Sequence, residues 1–182
     1  MNAKPKLKKC KMCPTRFEVW SSTTQVCSPQ CAIEFARVKA AKKEKKQHRE
    51  AKRKLKNEDR PFQLKKTQTL FNNYVRLRDC NDLCISCGRL HNGQYHAGHY
   101  RSVGSCPELR FCDDNCHKQC SPCNNYLSGN LIPYRVNLLN KIGLEKVGWI
   151  EGPHEPKRYT IQELKELQVK YSKLIKQLEQ EQ

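Results

Sequence analysis

Long apolar runs are missing from this sequence. None approaches the ~20 residues of a bilayer-spanning helix, which excludes a helical membrane protein. The opening residues, Met1 to Cys10, are basic and run straight into a cysteine pair, so they do not read as a secretory signal. Hydrophobic residues make up only 37% of the 182. That is too little for a large continuous core, so something besides burial must hold the chain together. Acidic residues are scarce too: 18 Asp and Glu face 35 Lys and Arg, a formal charge of +17. Such a surplus calls for a polyanionic partner. Nucleic acid fits best, because neutralised phosphates release condensed counterions. An anionic membrane surface is the rival.

Cysteine is what the chain has in excess, with twelve residues. A chain with no secretory signal is expected in a reducing, cytoplasmic compartment, which argues against a disulfide framework. Spacing argues for metal instead. Cys10 and Cys13 are followed, after 13 residues, by Cys27 and Cys31. Cys84 and Cys87 are followed, after 32 residues, by Cys120 and Cys123. Each pair suits a zinc knuckle, and two knuckles close a four-thiolate site with no open position. The zinc is then structural, at about two ions per chain. Structural zinc contributes roughly 10–16 kcal/mol in finger peptides, enough to explain folding around a thin core. Cys80, Cys106, Cys112 and Cys116 read as packed or surface thiols, although Cys112, Cys116 and Cys120, spaced i, i+4, i+8, offer an alternative ligand set.

Four stretches follow from composition and periodicity. Residues 1–32 form a zinc ribbon with Phe17, Val19 and Trp20 as strand residues. Residues 33–60 form a basic helix or linker; positions 36–60 hold twelve Lys and Arg against four Asp and Glu. Its helix propensity is high, but it has almost no apolar face to bury. Lys42, Lys43, Lys45, Lys46, Arg49, Lys52, Arg53 and Lys54 are its candidate phosphate contacts; a solubilising linker is the alternative. Residues 61–152 form the central module: a helix over 62–78, strands at 94–100 and 109–111, a short helix at 122–128, and helices at 132–142 and 144–150 broken at Gly143. Residues 153–182 form an amphipathic helix opened by a Thr160–Glu163 capping box. Its stripe of Ile161, Leu164, Leu167, Tyr171, Leu174 and Leu178 favours packing within the chain over a coiled coil.

Between the central knuckles lie His96-Ala97-Gly98-His99-Tyr100-Arg101 and Asn115-Cys116-His117, and Asn124 follows the last cysteine. A knuckle, a strand ending in His, a loop with Asn, a second knuckle and a helix beginning with Asn resembles the HNH endonuclease layout. The resemblance is closer to the phage NinG recombination proteins, also called Rap. It rests on Cys84-Ile85-Ser86-Cys87-Gly88, Ala97-Gly98-His99-Tyr100-Arg101, Leu109-Arg110-Phe111, His117-Lys118-Gln119-Cys120, Cys123-Asn124, Ser128-Gly129-Asn130 and Pro133-Tyr134-Arg135. It covers about residue 70 to the C-terminus, and the N-terminal cysteine pairs are similar too.

The resemblance implies an α+β fold: a small zinc-stapled ββα-metal (HNH-like) module flanked by helices, with an N-terminal zinc ribbon and a basic helix. It implies a phage-encoded, metal-dependent endonuclease, working in the bacterial host cell on branched recombination intermediates such as D-loops and Holliday junctions. His99 matches the general base, Asn124 the helix-borne ligand of a catalytic Mg2+ or Mn2+, and Asn115 the loop residue that orients the base. Many HNH enzymes place a metal-binding Asp or His directly before the base, where this chain has Gly98. His96 is the preferred substitute, with His117 or Asp113/Asp114 as alternatives; for each histidine a packed, hydrogen-bonded imidazole is the ordinary reading. Arg101, Arg110 and Arg135 could clamp phosphates in bidentate fashion. Trp20, Tyr95 and Tyr100 could stack on bases, though core packing is the commoner role. An enzyme that cuts two opposed strands is expected to be a homodimer. The competing reading is a non-catalytic zinc-finger DNA binder.

Overall fold

In a computed structural model the described residues are 7–19 and 21–181. They fall into two compact units, divided between residues 56 and 57. In the first, strands β1 (Leu7–Lys9) and β2 (Arg16–Glu18) pair antiparallel, with Lys8 opposite Phe17. Cys10 and Cys13 lie in the turn between them. Val19 is outside the strand, and Trp20, expected in a strand and as a stacking residue, lies outside the described residues. Helix α1 (Pro29–Glu58) follows, with no buried residue, as its lack of an apolar face predicts.

In the second unit Asp59 N-caps helix α2 (Arg60–Arg78), with Pro61 in the first turn. There its missing N–H costs nothing. The chain then forms β3 (Tyr95–His99), β4 (Cys116–Cys120), α3 (Leu131–Ile142), α4 (Leu144–Glu151) and α5 (Ile161–Gln180). The expected break at Gly143, whose φ is 86°, separates α3 from α4. Thr160 caps α5 with the reciprocal Glu163 bonds of a capping box. The apolar stripe of α5 packs on α2: Leu164 and Tyr171 join Phe71 and Val75, with Leu167 and Leu174 against them. A buried polar layer fixes that pairing, Gln168 Nε2 donating to Gln63 Oε1 (2.9 Å) and Thr67 Oγ1 (3.1 Å). Polar partners satisfied in this way are costly to separate, which holds the two helices in one register.

β3 and β4 form an antiparallel pair in which Tyr95 faces Cys120 and His99 faces Cys116. The second strand is therefore not 109–111, as the sequence led us to expect. Pro107–Leu109 is a short 3-10 turn, and the strand is Cys116-His117-Lys118-Gln119-Cys120. Pro107 sets a turn-forming φ, and the carbonyls of Leu109 and Arg110 bond to side chains rather than to a neighbouring strand. The strand also disposes of the helical ligand set: Cys116 and Cys120 are two pleats apart, not on adjacent helical turns. The expected helix at 122–128 is a single wide turn, Pro122–Tyr126.

Candidate functional site

Both cysteine quartets come together. Cys10, Cys13, Cys27 and Cys31 form one group, and Cys84, Cys87, Cys120 and Cys123 the other, with the Sγ atoms of each within 4.8 Å of one another. Four thiolates at 2.3 Å around a tetrahedral zinc stand about 3.8 Å apart. Cys27–Cys31 and Cys13–Cys31 are separated by 3.8 Å and Cys87–Cys120 by 3.9 Å, with Cys13–Cys27 tighter at 3.4 Å. The Cys120 N–H donates to Cys84 Sγ (3.3 Å), and Asn130 Nδ2 to Cys123 Sγ (3.5 Å). Such donors stabilise thiolates. The two groups could bind zinc, and with four thiolates each they leave no position for substrate. Of the remaining cysteines, Cys106 and Cys116 are buried, Cys112 is half-buried and Cys80 exposed.

His99 ends β3, facing α2. Its ring lies 5.9 Å from that of Phe71, and its Nε2 bonds the Arg110 carbonyl at 2.9 Å. A carbonyl only accepts, so Nε2 carries the proton and Nδ1 keeps its lone pair. Nδ1 is 3.6 Å from Cys116 Sγ. Burial holds the His99 pKa below the ordinary imidazole value, so the ring is neutral near pH 7.

Asn115, fully buried, braces the backbone on both sides of this ring. Its Oδ1 accepts from the Arg101 N–H (2.8 Å), while its Nδ2 donates to the Arg101 (3.1 Å) and Leu109 (3.2 Å) carbonyls. Its own carbonyl accepts from the Tyr100 N–H at 2.8 Å. The backbone directly after His99 and the carbonyl next to Arg110 are thereby fixed together.

The other candidates are dispersed. His96 leaves β3 from the opposite face to His99, because successive side chains alternate faces and the two are three residues apart. Its Nε2 lies 3.5 Å from Asn125 Nδ2, and Asn124 Nδ2 donates to Asn125 Oδ1 (2.7 Å). His96 and Asn124 thus share a neighbour, but among the described residues no hydrogen bond or ring contact joins either to His99. His117, an alternative ligand on sequence grounds, is buried and bonded instead. Its Nδ1 is 3.1 Å from Arg78 Nη2 and 3.5 Å from Asp79, and its Nε2 donates to the Asp114 carbonyl (3.0 Å). Neither ring nitrogen is left for a cation. Asp113 and Asp114 pair with Lys170 (3.5 Å) and Lys146 (3.0 Å). Arg101 donates to Cys106 Sγ, Arg110 to Gln68 Oε1, and Arg135 makes a bidentate pair with Glu151. That pair draws the Glu151 carboxyl down to about 2. Tyr95 lies under Lys118 and Tyr100 against Tyr134, so both are packed.

Gly98 has a steric cause. A Cβ placed there would meet Gln119, 2.9 Å from its Cβ and Cδ and closer still to Oε1. Gln119 crosses beneath the strand to donate to Ser86 Oγ and the Gly129 carbonyl, both at 2.5 Å. No Asp or His fits at 98 while Gln119 stays.

The matched family model is that of the bacteriophage lambda NinG protein, which covers residues 2–181. The chain belongs to the NinG family. It is 37% identical to Protein ninG of Escherichia phage lambda, over 98% of this chain and 96% of the relative. It is 40% identical to Protein ninG of Enterobacteria phage H19B and 37% to that of Escherichia phage 933W, each over 97% of this chain and 96% of the relative. No solved structure matches. The NinG resemblance read from the central module therefore extends along almost the whole chain. Sequence had no means of finding three groups: the Arg110 carbonyl, which acts through backbone; Gln119, signalled only by the glycine it faces; and Asp79, signalled by nothing local. Asp79 is buried beside His117 and accepts from Arg78 (2.7 Å) and the Lys118 N–H (3.0 Å), donors that hold its carboxyl well below the usual range.

Proposed function

We propose that this NinG-family chain is a structure-selective endonuclease that hydrolyses phosphodiesters in branched DNA within the bacterial host. The supporting observation is the His99–Arg110–Asn115 arrangement. A neutral imidazole has its proton-bearing nitrogen tied to a carbonyl and its lone pair at Nδ1, which faces the buried Cys116 thiol at 3.6 Å, and a buried Asn holds the backbone on both sides. In this reading water displaces that weak thiol contact, and Nδ1 takes its proton as the water oxygen attacks phosphorus. The P–O bond to the leaving sugar oxygen breaks, and that oxygen takes up a proton from solvent. A pKa lowered by burial keeps the base in working form near neutrality.

A divalent cation, when bound, would offset charge on the phosphate and the leaving oxygen. Among the described residues no third group of His, Cys, Asp or Glu gathers to hold it. The available donors at the hairpin's end are His96, Asn124 and Asn125, none of them a carboxylate, so an anionic ligand would have to come from the substrate itself. The separation of His96 and Asn124 from His99 favours a second reading, a zinc-stapled DNA binder without catalysis. Incubating the purified protein with an end-labelled four-way junction, in Mg2+ and then in EDTA, separates the two. Discrete Mg2+-dependent products support the enzyme; binding without cleavage in Mg2+ or Mn2+ overturns it.

A further inference from the structure

A cleft of about 650 Å³ runs between α2 and α5, lined by Lys66 and Leu70 from the first helix and Lys165, Val169, Lys173 and Lys176 from the second. No carboxylate lines it. The residues 57–182 contain ten lysines. Lys141, Lys146, Lys157 and Lys170 are within 4.0 Å of an Asp or Glu oxygen, and Lys118 donates to the Cys80 and Asp82 carbonyls. The rest have no ion pair among the described residues, and all of these except Lys65 line this cleft. All four cleft lysines are exposed. Exposed cations scattered at random would not gather in one groove while their neighbours found acidic partners.

We infer that this cleft binds the phosphate backbone of a duplex DNA arm, separately from the basic helix α1. Lys165, Val169, Lys173 and Lys176 lie on one face of α5, spaced four, four and three apart. At 1.5 Å per residue the row is about 16 Å long. Each DNA strand carries a phosphate per ~3.4 Å of axis, so about five lie within that reach. The lining holds no aromatic ring on which an unpaired base could stack. It has no Arg or Asn fork to read a base edge, and the Gln168 amide that also lines it is bonded to Gln63 and Thr67. The contact is therefore to backbone, independent of sequence. The same α2 carries Phe71 under His99, and Gln68, which holds Arg110. An arm held in this cleft therefore lies along the helix that supports the candidate base. The inference rests on the DNA-directed reading above but not on cleavage.

The test uses the full-length, zinc-loaded chain in EDTA-free buffer without Mg2+, with binding to a labelled unbranched duplex followed by anisotropy across salt. Lys66, Lys165, Lys173 and Lys176 are all changed to Gln, which keeps helix propensity. Losing four contacts should flatten the log affinity–log salt slope by about 3–4. The fall in affinity between 50 and 200 mM salt should shrink by about 100-fold. Lys146, Lys157 and Lys170 changed together to Gln should alter the slope by less than half as much. Should the quadruple variant misfold, V169E places a negative charge in the same cleft at an exposed position and should weaken binding at least several-fold. An unchanged slope and an inert V169E would overturn the proposal, as would loss of binding to phosphatidylserine vesicles with duplex binding intact. Failure of the nuclease reading would show differently, as a wild-type chain that binds duplex but cuts nothing.

Discussion

Replacing Gly98 by Ala should destabilise the central module, and the structure gives the size of the effect. The new Cβ would stand 2.9 Å from Gln119 Cβ and Cδ. Both residues are buried and the strands are paired on that register, so the backbone cannot easily move away. Overpacking of this kind costs about 1–3 kcal/mol. Pushing the Gln119 amide aside would also forfeit its bonds to Ser86 Oγ and the Gly129 carbonyl, worth ~1 kcal/mol each. The expected loss is about 2–5 kcal/mol, measured by urea denaturation with zinc held saturating. Removing the obstacle should remove most of the penalty. In a Gln119→Gly background, which removes the Cβ as well as the amide, Gly98→Ala should cost no more than ~0.5 kcal/mol, a coupling well above what independent sites show. A single Gly98→Ala variant within ~0.5 kcal/mol of wild type, or additive costs in the double variant, would refute the steric account of why this position is glycine.

The two cysteine quartets predict about two zinc ions per freshly purified chain and about one in Cys120→Ser; elemental analysis checks both, and one ion or none in the wild type contradicts the paired sites. His99 has a pKa lowered by burial. As pH falls through ~6.5 the unfolded imidazole takes up a proton that the folded ring resists, so stability is lost from there down to the folded pKa and is unaffected above. His99→Gln should abolish that part of the acid slope in denaturation experiments run from pH 7.5 to 5, and an unchanged slope would show that His99 is not the group responsible. Deleting Lys39–Lys56 removes the solvated basic stretch of α1, which has no buried residue; the salt dependence of DNA binding should flatten while the zinc of residues 84–123 stays bound, and an unaltered slope would reduce the segment to a linker.

Much of this fold is written in local chemistry. The knuckles are legible because two thiolates in one tight turn have little other use. The α3–α4 break is legible because Gly143 interrupts the apolar period, and the start of α5 because Thr160 and Glu163 satisfy each other's backbone. The strand β4 was hidden because Cys116, Lys118 and Cys120 carry no apolar alternation. Their burial comes from partners distant in sequence, such as the Cys80 and Asp82 carbonyls that receive Lys118. On α5 the apolar stripe omitted Gln168, whose burial depends on Gln63 and Thr67 of another helix. At the candidate site the sequence pattern picked out His99 and Asn115, which the structure brings to one backbone framework. It grouped His96 and His117 with them only because they are histidines nearby in the chain. One turns out on the opposite face of the strand, and the other is fixed by Arg78 and Asp79.

The central claim is that His99 activates water, and cleavage of a labelled four-way junction by wild type and His99→Ala, side by side in Mg2+, tests it most directly. The imidazole acts chiefly in the transition state, so the variant should retain its zinc and bind the junction within a few-fold of wild type. Its cleavage rate should fall by ~10²–10⁴-fold, the usual worth of a positioned acid–base group. A His99→Ala protein that cuts the junction at the wild-type rate would contradict the account.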